Sequence, residues 1–240
     1  MHNIILTGVN SFLGNRFIQK LKKSYYIKCL VRPNSKRTKY SNVKYSEIDF
    51  LNPVFKKSMF NNIFAVIHIL SIKSSNHPDI FRINVDFTKK LVEAALLYKV
   101  QKFIYISSES VQLPGEDCYT KSKKKAEKEV AIHNNHLILR PTVIYGKKNT
   151  SDIGFLIALI KRIPIVPIVG NGKQLIQPVS VDDVVKCIDS GLLHNISGIH
   201  LIAGQNSLKY REIIKVISMA LGKNTMVIRM PFAIGYIIAK

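Results

Sequence analysis

The chain has 240 residues, 47% of them hydrophobic, and its 36 lysines and arginines against 15 acidic residues give a formal charge of +21. That length and apolar content predict a soluble, folded protein, either one large α/β domain or one domain with a small appendage. Its three cysteines, Cys29, Cys118 and Cys187, have no metal-ligand spacing and cannot all pair, which argues against a disulfide framework or a metal centre and points to a reducing, cytoplasmic setting.

The opening Met1-His-Asn-Ile-Ile-Leu6 has no basic stretch and its apolar run ends at Gly8, so it reads as a first strand, Ile4–Leu6, and not as a signal peptide. Thr7-Gly-Val-Asn-Ser-Phe-Leu-Gly14 then turns into a helix over Phe12–Lys23. Small residues there let a strand turn sharply, so that backbone N–H groups at the helix start can face a pyrophosphate. Thr7, Gly8, Asn10, Ser11, Phe12, Leu13 and Gly14 are the candidate phosphate-binding residues, with an ordinary strand-turn-helix as the alternative. Ser11 stands where a middle glycine would allow the closest backbone approach.

A second strand, Tyr26–Val31, ends in Arg32-Pro-Asn-Ser-Lys-Arg37, without the acidic residue that would accept from a ribose 2′-hydroxyl. Arg32, with Lys36 or Arg37, would instead hold a 2′-phosphate, which favours NADP over NAD; a plain basic loop is the competing reading. Asp49 and Phe50, after a third strand at Val43–Ile48, offer a carboxylate and an apolar wall to an adenine, although Asp is also a turn residue. A fourth strand, Ala65–Leu70, would pass its backbone under the cofactor at Leu70 and Ser71, and His68 within it reads as a core histidine.

The next helix, Asp79–Lys99, carries Leu91, Val92, Ala95 and Leu96 at helical spacing. A fifth strand, Phe103–Ser107, leads into Ser107-Ser-Glu-Ser-Val111, and a helix over Asp117–His133 follows, setting Tyr119 one turn before Lys123. A serine hydroxyl at that strand end can bond both a substrate oxygen and the Tyr119 phenol. Tyrosine ordinarily titrates near about 10; the Lys123 ammonium and a nicotinamide cation are expected to lower it, fitting Tyr119 to move a proton while hydride passes to or from the cofactor. A sixth strand, Leu137–Leu139, completes a βαβ alternation that predicts an α/β fold, a doubly wound parallel sheet covered on both faces.

Beyond Arg140-Pro141 the pattern changes. A helix over Ile153–Arg162, a Pro/Gly-rich passage over Pro164–Gly172, a helix over Val181–Leu193, a strand at Ile199–Ile202, a helix over Tyr210–Leu221 and a strand at Met226–Arg229 are expected. Ligands of doubly wound folds sit beyond the carboxyl ends of the strands, so these segments are candidates for a substrate lid. Residues 1–146 form the expected nucleotide-binding domain and 147–240 a smaller substrate region interleaved with the sheet. The closing Pro231–Lys240 reads as a C-terminal helix packed on the body, as a truncated chain or as an interfacial contact.

Basic residues are spread along the chain, so a lysine-rich composition explains the charge ahead of an anionic small substrate, and nucleic acid comes last. Lys121–Lys128 is the densest cluster, but Glu127 and Glu129 and its helical spacing make it a solvated helix face. No run reaches the roughly 18 apolar residues that span a bilayer.

At these residues the chain resembles the extended and atypical short-chain dehydrogenase/reductases, in particular the NAD(P)-dependent sugar-nucleotide epimerase/dehydratase family. The resemblance runs from Thr7 through Ser107-Ser108, Tyr119 and Lys123 to Leu139-Arg-Pro-Thr-Val-Ile-Tyr-Gly146 and Gln177-Pro-Val-Ser-Val-Asp-Asp-Val184. It implies a Rossmann-type domain with a small C-terminal substrate region. Ser108, Tyr119 and Lys123 match the family's catalytic residues, and Gly8 and Gly14 its outer phosphate-loop glycines. Asn84 matches an asparagine that recurs after the fourth strand, and Pro141 and Thr142 match the stretch near the nicotinamide. It also implies a possible homodimer through the helices at Asp79–Lys99 and Asp117–His133.

The chain departs from the family in several places. Glu109 is followed by Ser110 where dehydratases carry an acidic pair, Ile176 stands in place of a diphosphate-binding arginine, and Gln112-Leu113 replaces Tyr-Gly. The reading is an epimerase or oxidoreductase acting on a nucleotide sugar or related polyhydroxy compound. Leu30-Val-Arg-Pro-Asn-Ser35 suggests instead an NADP-dependent ketone reductase resembling the dihydroflavonol reductase branch, and a non-catalytic NAD(P)-binding subunit is the third reading.

Overall fold

Ile4, Ile5 and Leu6 are completely buried, because the strand they belong to lies inside a parallel sheet with both faces covered, where alternation gives way to continuous apolar sequence. The computed structural model describes residues 1–115, 117–147, 152–194 and 196–230; the apolar segment at Pro231–Lys240 lies outside them. In chain order the sheet-bearing unit consists of β1 (His2–Thr7), α1 (Phe12–Leu21), β2 (Tyr25–Val31), β3 (Val43–Glu47), α2 (Lys57–Phe60), β4 (Ile63–His68), α3 (Phe87–Leu97), β5 (Lys102–Ile106), α4 (Cys118–Val130), β6 (His136–Pro141), α5 (Val181–Leu193) and β7 (Gly198–Ile202). The seven strands are ordered β7-β6-β5-β4-β1-β2-β3, all parallel. This is the doubly wound, Rossmann-type arrangement.

Register sets the carboxyl ends side by side: Thr7 lies opposite Leu30 and His68, His68 opposite Tyr105, and Ile106 opposite Leu139. Side chains alternate between the faces. Val66, Phe103, Tyr105 and Ile138 pack with Phe87 and Leu91 of α3 and Ala126 of α4. Leu137 points to the other face, beneath α5, where a β-carbon on Gly191 would stand 2.3 Å from Leu137 Cδ2. Arg16 of α1 donates to Asp182 of α5 at 2.6 and 2.8 Å, joining the two helices of that layer.

The helix expected from Asp79 to Lys99 opens with a π-helical turn at Arg82–Asp86 before α3 begins, a deviation that seats Asn84 in the interior. The basic face of α4 is as expected, with Lys121, Lys124, Lys125 and Lys128 exposed, while Lys123 and Glu127 turn inward. Glu127 is held there by a bidentate bond from Arg140 at 3.0 and 2.6 Å.

The second unit comprises Val143–Ser180 and the chain from Ala203 onward, so Val181–Ile202 returns to the sheet between its two parts. Helices Asp152–Arg162 and Tyr210–Ala220 enclose Leu156, Ile160, Val166, Ile168, Ile213 and Ile214. The Pro/Gly-rich passage contains a strand, Ile165–Val169, paired in parallel with Met226–Met230. Its β-branched residues prevail over Pro167, which is tolerated because among the described residues the strand has a hydrogen-bonded partner on one side alone. Among the described residues no helix is long and apolar enough to cross a membrane.

Candidate active site

The chain turns at Gly8 with φ +73, a left-handed conformation, and a β-carbon there would meet the Leu70 nitrogen at 2.6 Å. One on Gly14 would lie 2.2 Å from the Gly8 carbonyl oxygen. Both positions therefore require glycine. Ser11, by contrast, has ordinary extended backbone and caps α1, its hydroxyl accepting from the Gly14 N–H at 3.0 Å. A helix start leaves its first N–H groups without acceptors in the helix. The Leu13 side chain at this helix start is buried in the core.

A cavity of about 460 Å³ opens at this turn, beyond the carboxyl ends of β1, β2 and β4, a size common for small-molecule and cofactor sites. Of the expected residues Gly8, Asn10, Ser11, Arg32, Asp49, Phe50, Leu70 and Ser71 line it. Asp49 also accepts from the Leu51 N–H at 2.8 Å, so the turn and cavity-wall readings hold together. Arg37 is engaged with Glu47, which leaves Arg32, with Ser35, as the polar end of the β2 wall. Sequence reasoning missed Ser35, Ile72, His77 and Asp79. Only the general rule that loops after carboxyl strand ends line such sites could have found them.

Thr7 is fully buried. Its hydroxyl accepts from the Leu70 N–H at 3.2 Å and lies 2.6 Å from His68 Nδ1, while His68 Nε2 lies 2.8 Å from the Thr88 hydroxyl, which donates to the Asn84 carbonyl. Because Thr88 spends its proton on Asn84, it must accept from His68. The imidazole is therefore the Nε2–H tautomer and Thr7 donates to Nδ1. Burial drives the His68 pKa down to about 3, with Lys123 adding to the shift, so the ring is a neutral core link, as expected from the sequence. Asn84 continues the chain, donating to the Ile72 carbonyl and the Ser122 hydroxyl at 2.9 Å each. It orients the loop after β4 and helix α4.

At the end of β5, Ser108 caps a single 3₁₀ turn at Glu109–Gln112. Its hydroxyl acts on the Tyr119 phenol, favouring the ionised form against burial. The hydroxyls of Ser107 and Ser110 beside it are shielded from solvent and have no partner among the described residues. Lys123 is fully buried, donates to the Ile106 carbonyl at 2.7 Å, and stands 4.6 Å from the Tyr105 ring centroid and 6.0 Å from that of Tyr119.

The structure corrects one expectation. In the chain itself the Tyr119 pKa is raised: burial is the largest cause, opposed by the Ser108 hydroxyl and reinforced by Asp117. Lys123 does not offset this, since its ammonium is directed at Ile106 and is itself pushed down to about 7, first by burial and then by Lys73, against the pull of Glu127. Pro141 ends β6, and Thr142 is buried with its N–H on the Ile202 carbonyl at 3.0 Å. The structure thus brings Ser108, Tyr119 and Lys123 together at β5 and α4. Asn84, Tyr119, Lys123, Pro141 and Thr142 do not line the 460 Å³ cavity.

The NAD dependent epimerase/dehydratase family model matches residues 4–203. A UDP-glucose 4-epimerase of Vibrio cholerae is 26% identical, the match covering 95% of this chain and 79% of that protein. A ceramide reductase of Caulobacter vibrioides is 23% identical over 95% of this chain and 73% of its own. Among solved structures, the UDP-glucuronic acid 4-epimerase of Bacillus cereus in complex with NAD superposes with a TM-score of 0.81 at 21% identity, covering 95% of this chain and 86% of the other.

Proposed function

The chain belongs to the NAD dependent epimerase/dehydratase family, and from that premise we propose that it is an NAD(P)-dependent epimerase or oxidoreductase of a nucleotide sugar. The observation that carries the reading is the convergence of Ser108, Tyr119 and the buried Lys123 at the same sheet edge as the glycine turn. The residues fit a dinucleotide: Gly8 and Gly14 leave no space for β-carbons where the turn approaches neighbouring backbone, and the hydroxyls of Ser107 and Ser110, near the end of β5, have no partner among the described residues.

When bound, a nicotinamide dinucleotide supplies a hydride acceptor or donor. Gly8, Asn10, Ser11 and the Phe12 and Leu13 N–H groups would hold its phosphates, with Asp49, Phe50, Leu70 and Ser71 along the wall and Pro141 and Thr142 toward the nicotinamide. Ser108 orients a substrate hydroxyl and Tyr119 removes its proton as the carbon is oxidised. Tyr119 then returns the proton when the ketone is reduced. Lys123 would be the electrostatic partner of the phenolate in its protonated form, which burial disfavours in the chain itself. The unit formed by Val143–Ser180 and the chain from Ala203 would take the rest of the substrate, and α3 and α4 would pair two copies.

Arg32 on the cavity wall, without an acidic residue at the end of β2, favours NADP over NAD. Titration with NADPH and NADH followed by fluorescence tests this. Tighter NADPH binding that is lost in Arg32→Ala supports the preference, equal affinities before and after the substitution end it, and binding of neither ends the redox reading. The ceramide reductase relative keeps a ketone reductase as the second reading. Net oxidation of NADPH by an added ketone would select it, whereas interconversion of UDP-hexoses without net cofactor change would select the epimerase.

A further inference from the structure

A second cavity, of about 610 Å³, lies wholly within the second unit, along the helix Tyr210–Ala220 and the strand Met226–Met230. Arg211, Lys215, Lys223 and Arg229 all line it. The one carboxylate there, Glu212, is already committed to the Lys209 backbone N–H at 2.8 Å and the Lys209 ammonium at 3.7 Å. Among the described residues none of the four cations has an ion-pair partner. A concave surface of a single charge sign concentrates counter-ions. Among the described residues the Thr225 hydroxyl, on the same cavity wall, is shielded from solvent and has no hydrogen-bond partner, a state that native proteins rarely leave unanswered.

We propose that this cavity is a binding site for a phosphate-bearing ligand, separate from the redox site, in which the four cations neutralise the phosphate and Thr225 bonds one of its oxygens. The ligand is a free phosphorylated compound or a lipid headgroup, and both present the same chemistry.

The test is calorimetric and ³¹P NMR titration with sodium diphosphate, alongside sedimentation with phosphatidylcholine vesicles with and without phosphatidylglycerol. Wild type, Lys215→Gln/Arg229→Gln and Thr225→Val are compared, with far-ultraviolet circular dichroism to confirm that each is folded. The expected result is saturable binding that weakens about tenfold or more in the double variant, since each charge-assisted bond lost is worth more than a decade in affinity, and severalfold in Thr225→Val. Saturable diphosphate binding assigns a free ligand, and binding confined to phosphatidylglycerol vesicles assigns a headgroup. Diphosphate held at the Gly8–Gly14 turn would survive both substitutions. Binding unchanged in both variants, or no binding in either arm, overturns the proposal.

Discussion

Tyr119 and Lys123 are one helical turn apart on α4, yet burial acts on them in opposite senses, raising the phenol and lowering the ammonium. Tyr119→Phe removes the proton carrier while keeping the ring, and is expected to lower kcat by about 10²–10⁴ with NADPH titration unchanged, as steady-state kinetics would show. Lys123 also leaves a signature in stability. Below about 7 both folded and unfolded chains carry its proton, and the fold bears the burial of a charge; between about 7 and the ordinary 10.5 only the unfolded chain keeps it. Stability contributed by this group therefore climbs as pH rises through that window. The wild type should gain on Lys123→Met from pH 7 to pH 10 in urea denaturation; a constant difference would refute the assignment. The pair was legible in the sequence because spacing alone fixes it on one helix face. The hydrogen bonds of Thr7 to His68 and Leu70 were not, since both partners lie more than sixty residues away in sequence.

The strand-turn-helix from β1 to α1 is the best determined local piece, because two backbone approaches leave no space for a side-chain carbon. Gly14→Ala drives a β-carbon against the Gly8 carbonyl. It is expected to cost about 1–3 kcal/mol by overpacking, read from chemical denaturation, and to abolish nucleotide binding by displacing the turn. A Gly14→Ala protein that melts and binds like wild type would contradict the geometry. Elements of this kind could be read in advance: the strands of the sheet stand out as short apolar runs, and the helices between them by their length and spacing. The π-helical turn at Arg82–Asp86 could not, since its cause is the burial of Asn84 between Ile72 and Ser122 and no local preference encodes it. The strand Ile165–Val169 was hidden by its proline.

Charge governs the behaviour of the molecule as a whole. The exposed sides of α3 and α4 carry Lys89, Lys90, Lys124, Lys125 and Lys128 beside the exposed Leu96 and Leu97. A two-fold interface on these helices would bring like charges together around apolar contacts. Dimerisation by this face should therefore strengthen as salt screens the lysines, and light scattering across a salt series should show the mass rise; a mass that falls with salt would exclude the face. The seven-stranded sheet has a further property. Its last strand, β7, pairs with β6 only after the chain has passed through Val143–Ser180 and α5. During synthesis the edge of β6 thus stays open until residue 202 leaves the ribosome, and contacts so distant in sequence form slowly. A nascent chain halted before that point presents a bare parallel edge, the surface on which chaperones act and from which aggregates grow.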